Sequence, residues 1–398
     1  MNPLYRSLLA ACLCLAIWAT PASGAVKKVW ELDVSEIFKK SKIAPQYQPV
    51  IVEEKLVVGA TDGTIKSIDL ATTAIENVIT LPIEIYSARV YGVFTVVFHG
   101  RHKVNNSLYY CSVDIKKKTL KGVLREEGLL WKIAGLAVFE KDNSFTVFSP
   151  AVGQIVYTQP IDYGIRLPVY TPDERNVFVN TYNDLIEMEL PGLGAGAFFS
   201  SKAQRTRSQD TEPILKFTKV GVVAESIIPD NLDGSTLYYH TPSGSIGVID
   251  VANNKTIWER SYFKQAVTIL GPHVVKDSLY YLVSYPRVAS EDVNIGKLIC
   301  LKQQNGQANW LSEDLKFQTF SPVQFRNTIL ATNRDGTMLR FLDLVTGAEV
   351  NAFPIEGTMA KPLVEENSIF FHTGEKIYRF DYKGLPRWLE NFLERFRR

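Results

Sequence analysis

Leu56-Val57-Val58-Gly59-Ala60-Thr61-Asp62-Gly63-Thr64-Ile65-Lys66-Ser67-Ile68-Asp69-Leu70 and Ile329-Leu330-Ala331-Thr332-Asn333-Arg334-Asp335-Gly336-Thr337-Met338-Leu339-Arg340-Phe341-Leu342-Asp343-Leu344 are two copies of one unit. Each reads as an apolar strand, an Asp-Gly turn and a second strand ending on aspartate. Asp-Gly tolerates positive φ, and the β-branched and apolar flanks suit packing between sheets, so each copy encodes a β-hairpin. A proline opens both at the same distance, since Pro49 precedes Gly63 and Pro322 precedes Gly336 by fourteen residues.

Working outward, hairpin marks recur at Gly63, Asn106, Gly153, Asn183, Gly244, Gly296, Gly336 and Gly374. A second turn follows the strand-ending aspartate at Asn253-Asn254, Asn305-Gly306, Thr346-Gly347 and Lys383-Gly384. Tryptophan stands four residues beyond three of these turns, at Trp258, Trp310 and Trp388. A large ring at one fixed point of successive sheets fills the gap between propeller blades. Repetition at this period predicts a β-propeller of eight four-stranded blades, or seven if the degenerate copies at Asn106, Gly153 and Asn183 do not each build one. Strands and turns follow too closely for βαβ units, and a sandwich gives no reason to repeat one signature around the chain.

The order Asp-Gly, apolar strand, aspartate, second turn, tryptophan resembles the PQQ-like repeat, from roughly residue 26 to 384 and most closely in 49–75 and 235–384. That family contains quinoprotein dehydrogenases and non-enzymatic scaffolds, and length, leader and repeat type look most like the BamB-type group of outer-membrane assembly scaffolds. The resemblance implies fold more strongly than function.

The first 25 residues read as an export signal: Arg6, an apolar run from Leu8 to Trp18, then small residues from Pro21 to Ala25. The run is shorter than the ~20 apolar residues of a membrane span. Leu9-Ala10-Ala11-Cys12 also resembles a lipobox, which would lipidate Cys12. The chain is expected in the periplasm, with a lipid anchor or, for a eukaryotic chain, a secretory-pathway lumen as alternatives. Asn105-Asn106-Ser107 and Asn254-Lys255-Thr256 are sequons that fit the last. Cys111 and Cys300 are the cysteines beyond the leader; they fall in units two and six of an eight-unit ring and are expected free and buried. Forty-four Lys and Arg against 42 Asp and Glu give a net charge of +2, so nucleic acid is not an expected partner and any charged surface must be local.

Two segments depart from the repeat. Gly192–Pro213 is small and polar, with Phe198 and Phe199 beside Lys202, Arg205 and Arg207, as in a binding loop or a disordered insertion. Residues 385–398 form a third region after the leader (1–25) and the propeller (26–384). There Trp388, Leu389, Phe392, Leu393 and Phe396 recur at helical spacing against Arg387, Glu390, Glu394, Arg395, Arg397 and Arg398, an amphipathic helix that can pack on its own propeller or dock to a partner or lipid. Aromatics beside arginines are enriched at interface centres, so Phe198, Phe199, Arg205, Arg207, Trp388, Phe392 and Phe396 are the candidate contacts to other envelope or secretory proteins. Membrane contact is expected only through that helix or a lipid on Cys12.

No catalytic, cofactor or metal residue is predicted. There is no vicinal cysteine pair of the kind that quinoprotein dehydrogenases carry. His99, His102, His240, His273 and His372 are scattered, and His99 and His102 read as solvated loop residues. Asp230-Asn231-Leu232-Asp233-Gly234 lacks the ligands of a calcium loop and reads as a turn. Asp69, Asp250, Asp343 and Asp381 share one repeat position, which predicts a structural role accepting backbone hydrogen bonds. The expected function is a non-enzymatic protein-binding scaffold; the alternative is a quinone- or carbohydrate-handling enzyme using the central channel. Finally, Val29-Trp30-Glu31-Leu32-Asp33 looks like the last strand of a repeat whose other strands end the chain, which predicts ring closure by the N-terminus.

Overall fold

Lys55–Gly59 and Thr64–Asp69 pair antiparallel, Gly59 opposite Ile65, with Gly63 turning between them at φ +81° in the computed structural model. The described residues are 25–383 without 126–129, 134–135, 142, 174, 190–214, 263–267, 285–294 and 317–319. They form eight sheets, each an antiparallel meander, arranged as an all-β ring of blades. Blade 1 is Val50–Val52, Lys55–Gly59, Thr64–Asp69 and Ile75–Thr80. Blade 2 is Ile83–Val90, Thr95–His102, Leu108–Asp114 and Thr119–Arg125. Blade 3 is Leu130–Ile133, Leu136–Lys141, Ser144–Ser149 and Gln154–Pro160. Blade 4 is Ile165–Val169, Asn176–Asn180, Asp184–Glu189 and Lys216–Val222. Blade 5 is Ile228–Asp233, Thr236–His240, Ser245–Asp250 and Lys255–Ser261. Blade 6 is Ile269–Val275, Ser278–Ser284, Ile295–Lys302 and Ala308–Leu311, with Leu315–Lys316 added against Ile295 and Gly296. Blade 7 is Gln324–Phe325, Thr328–Thr332, Met338–Asp343 and Glu349–Pro354.

Blade 8 joins the two ends of the described chain. Leu363–Val364, Ser368–His372 and Lys376–Lys383 supply three strands, and Ala25–Asp33 supplies the fourth, pairing from Ala25 opposite Lys383 to Asp33 opposite Lys376. This is the predicted closure, one residue longer at its start than the predicted propeller boundary. A short helix that the sequence did not announce, Val34–Phe38, follows and buries Val34, Ile37 and Phe38.

The first strand of each blade is innermost. Tyr170, after the first strand of blade 4, bridges Asn231 in the first strand of blade 5, and Asn231 Nδ2 donates to Pro272 O in blade 6 at 3.5 Å. The core lies between blades: Phe341 of blade 7 packs with Phe371 and Phe380 of blade 8, whose rings stack 5.8 Å apart.

At the outer edge the repeated tryptophan locks blade 5 to blade 6 and blade 6 to blade 7. Trp258 Nε1 donates to Gln303 O at 2.7 Å and Trp310 Nε1 to Leu344 O at 3.0 Å. A Cβ on Gly306 or Gly347 would stand 2.6 or 2.7 Å from those indoles, and both glycines have positive φ, so only glycine seats the ring. In blade 2 the corresponding position is Gly122, which lies directly on Gly153 of blade 3. In the last unit it is Trp30, not Trp388, because residues 376–383 find their outer neighbour at the N-terminus. Trp30 Nε1 is buried with no hydrogen-bond partner; the matching carbonyl, Leu70 O, accepts from Arg379 Nη1 at 2.5 Å instead.

Two hairpin marks move. Gly153 lies in the turn between the third and fourth strands of blade 3, whose preceding hairpin turns at Asn143 with φ 56°. Gly296 lies within the third strand of blade 6. Both leave the count at eight. Cys111 and Cys300 are free and buried in blades 2 and 6, and burial pushes the Cys111 thiol up to about 12.

His372, fully buried in blade 8, ties the closing blade to the start of the ring. Its Nε2–H donates to Tyr47 O at 2.7 Å, and its Nδ1 accepts from Gly374 N at 3.1 Å. Both nitrogens are thereby used by the neutral ring, and burial pushes its pKa down to about 4, against the pull of the Tyr47 carbonyl. The unfolded imidazole titrates near 6.5, so this stabilisation is whole above pH 6.5 and is lost as pH falls toward 4, up to roughly 3 kcal/mol. Urea unfolding across that range should show the acid loss in the native chain and a flatter limb in His372→Gln; equal slopes would contradict it. Trp258→Ala, which empties the blade 5–6 seam, should cost about 3–5 kcal/mol in the same measurement, whereas a cost below about 1 kcal/mol would mean the seam is held elsewhere.

Candidate functional site on the lower face

One face of the ring carries the connections between the first and second strands of each blade and, except in blades 4 and 8, short turns between the third and fourth. We call this the lower face. The repeated aspartate builds the second of these turns: Asp69 Oδ1 accepts from Ala71 N and Thr72 N at 3.0 and 2.8 Å, and Asp343 Oδ1 from Val345 N and Thr346 N at 3.0 and 2.8 Å. Asp250 does the same for Ala252 and Asn253. These bonds hold the Asp69 carboxyl below the usual carboxylate range, and the Asn253 side chain, donating to Asp250 Oδ2 at 2.7 Å, does so for Asp250 together with its backbone bonds. Asp381 departs from the expectation, since its strand runs on to Lys383; it binds Arg379 through both oxygens at 2.8 and 2.9 Å and accepts from Ser368 Oγ at 2.8 Å.

The insertion interrupts one of these turns. Glu189 ends the third strand of blade 4 and pairs with Lys216, which begins the fourth. The return of the chain is pinned to blade 3, where Gln159 Oε1 accepts from Leu215 N and Gln159 Nε2 donates to Leu215 O, both at 3.2 Å. Phe217 then stacks on Phe145 at 5.3 Å. Phe198, Phe199, Arg205 and Arg207 lie outside the described residues, as do Trp388, Phe392, Phe396 and the leader with Cys12. The described ends of both segments are nevertheless fixed. Lys383 and Ala25 occupy in blade 8 the same third-to-fourth-strand corner that Glu189 and Lys216 occupy in blade 4. Blades 4 and 8 are opposite in an eight-membered ring. The insertion, the C-terminal segment and the leader therefore all depart from the lower face.

A groove of about 1020 Å³ runs across the same face at blades 6, 7 and 8. Lys276, Asp277, Asn327, Glu365 and Glu366 come from inner turns, Asp343 and Val345 from an outer one. His273 in its wall bonds Gln324 Oε1 through Nε2 at 3.1 Å, and burial lowers its pKa. Val345 is 81% exposed beside it. The sequence carries no local signal for this groove, because its residues come from three separate repeats.

The inner strands hold little that resembles catalysis. Asp230 is buried on the first strand of blade 5 and binds His240 Nδ1 at 2.8 Å; burial raises its pKa to about 6, with His240 pulling it back. Asp230 and Asn231 thus sit within a strand, and only the Asp233–Gly234 end of the predicted turn is one. His99 and His102 belong to the second strand of blade 2, half-buried, with His99 stacked on Tyr110 at 4.6 Å; they are not loop residues. Among the described residues no three His, Cys, Asp or Glu side chains gather as a metal site, and no helix is long and apolar enough to cross a membrane.

Fold and turn chemistry together define an all-β propeller of eight blades. Among solved structures the chain is similar to BamB from Moraxella catarrhalis, at TM-score 0.56 and 12% identity over 90% of this chain and 100% of that one. It is also similar to the computationally designed Ika8 protein, at TM-score 0.55 and 11% identity over 86% of this chain and 96% of that one. No family model and no curated protein matches the sequence.

Proposed function

We propose that this chain is a non-enzymatic scaffold of the cell envelope, exported to the periplasm, whose lower face binds other envelope proteins. The observation that carries the reading is the convergence of both departures from the repeat on one face, at opposite blades. A ring that is otherwise built of short, capped turns presents there two segments rich in aromatics and arginines, the residue types that dominate interface energetics. The structural likeness to BamB agrees with a binding role, and the BamB-type resemblance of the repeats supplies the envelope setting. Phe198, Phe199, Arg205 and Arg207 form one contact in this reading, and Trp388, Phe392 and Phe396 the other. No cofactor enters it.

Replacing each set by alanine and capturing partners from the native envelope tests the assignment. Each variant should lose at least about tenfold in partner recovery, as expected for a truncated interface centre, with thermal stability of the ring nearly unchanged. Unfolding of the Trp388, Phe392, Phe396 variant would instead place those rings against the chain's own blades. Normal binding by both variants would move the interface to the ordinary blade turns.

A further inference from the structure

Lys116, Lys117 and Lys118 form the third-to-fourth-strand turn of blade 2, and all three are exposed on the lower face. The inner turn of the same blade carries Val93 at its tip, 74% exposed, and Phe94 beneath it. Lys116 Nζ lies 4.4 Å from the Phe94 ring centroid, so the two turns stand side by side. The neighbouring turn of blade 3 adds Val152, 37% exposed, brought close by the contact of Gly153 with Lys121 and Gly122. The result is a basic corner with aliphatic tips.

The acidic groups at this corner are already engaged. Asp114 pairs with Lys121 at 3.3 Å and accepts from Lys117 N at 2.9 Å. Glu76 is shared by Lys55 at 3.0 Å and Lys118 at 3.5 Å. Among the described residues Lys116 and Lys117 make no ion pair. Exposed lysines flanking a protruding valine match the chemistry of an anionic phospholipid interface, where ammonium groups meet phosphates and a short aliphatic side chain enters the headgroup boundary.

The lysines stand on an exposed turn beside a protruding valine, and a layer of phosphates meets all three ammonium groups at once. Ala25 leaves the ring at the lower corner of blade 8, two blades from this site. We propose that the blade 2 corner, Lys116, Lys117, Lys118 and Val93, binds an anionic membrane surface and lays the lower face of the ring on it. This site is separate from the insertion and C-terminal contacts above and does not require lipidation of Cys12.

The test uses the chain from Ala25 onward, which holds every described strand, and co-sedimentation with vesicles. Vesicles of phosphatidylglycerol should retain the protein, vesicles of phosphatidylcholine should not, and added salt should release it. Joint replacement Lys116→Glu, Lys117→Glu, Lys118→Glu should weaken retention by about a hundredfold and Val93→Asp by about tenfold, with unfolding midpoints unchanged. Joint Lys103→Glu, Lys297→Glu, toward the opposite face of the ring, should leave retention intact. Equal retention of native and lysine-replaced chains, or no retention on phosphatidylglycerol at low salt, overturns the proposal. So does a lysine-replaced chain that binds vesicles normally but loses an envelope protein partner, since the corner would then be a protein site. Alanine replacement of Phe198, Phe199, Arg205 and Arg207 should leave vesicle binding unchanged, which separates this result from the fate of the scaffold reading.

Discussion

The ring exists because residues 25–33 pair with residues 376–383. Seven blades are each built from one continuous stretch of chain, and their strands can find one another locally. The eighth depends on a contact across nearly the whole sequence, and without it both the third strand of blade 8 and the detached N-terminal strand would present unpaired edges. Everything on the lower face inherits its geometry from this closure, since the relation between blade 4 and blade 8 is set only once the ring is shut. The pairing also orders events: the first strand to be made must wait for the last, so its edge stays unpaired until residues 376–383 have been made.

Contacts between blades are graded around the ring. Blades 5, 6 and 7 are joined by an indole that both packs on a positive-φ glycine and donates to a carbonyl of the next turn. Blades 2 and 3 reach the same closeness with no side chain at all, through Gly122 on Gly153. At the closing seam the indole of Trp30 loses its carbonyl to Arg379, whose guanidinium also holds Asp381 and lies 5.6 Å over Phe370. A charged bridge therefore replaces a neutral one at the junction where the chain ends meet. Because His372 bonds to Tyr47 near that seam, acid and salt act on the same part of the ring.

The fold was legible because one turn chemistry recurs. Asp-Gly at 62–63 and 335–336, with its following aspartate, is a local instruction that needs no tertiary help. Reading failed where a different residue met the same backbone need. Asn143 holds at φ 56° the left-handed position that glycine holds elsewhere, and Gly153, in the next turn of the same blade, drew the mark one turn late, whereas Asn106 and Asn183, at φ 60° and 63°, were marked where they turn. Trp388 matched the tryptophan spacing by position alone, whereas the strand that fills that place comes from the other end of the chain. The two segments outside the repeat could be named from composition, but not the shared face of their anchors, which follows from strand order. The groove and the lysine corner were invisible for the same reason: His273, Asp343 and Glu365 are neighbours only in the ring, and Lys116–Lys118 reads as an ordinary charged turn until Val93 is placed beside it.

The insertion in blade 4 enters and leaves between residues whose places are already taken. Glu189 and Lys216 face each other in register, and Gln159 grips the backbone of Leu215 from the neighbouring blade. Loop-closure entropy grows only slowly with length, so the interval between those anchors can change in size and sequence at small cost to the ring. The corner is in that sense a socket: the propeller specifies where a segment is presented and leaves open what the segment is. Related rings could exchange one recognition loop for another there, and an engineered chain could carry a foreign domain at the same point without altering the register of any blade.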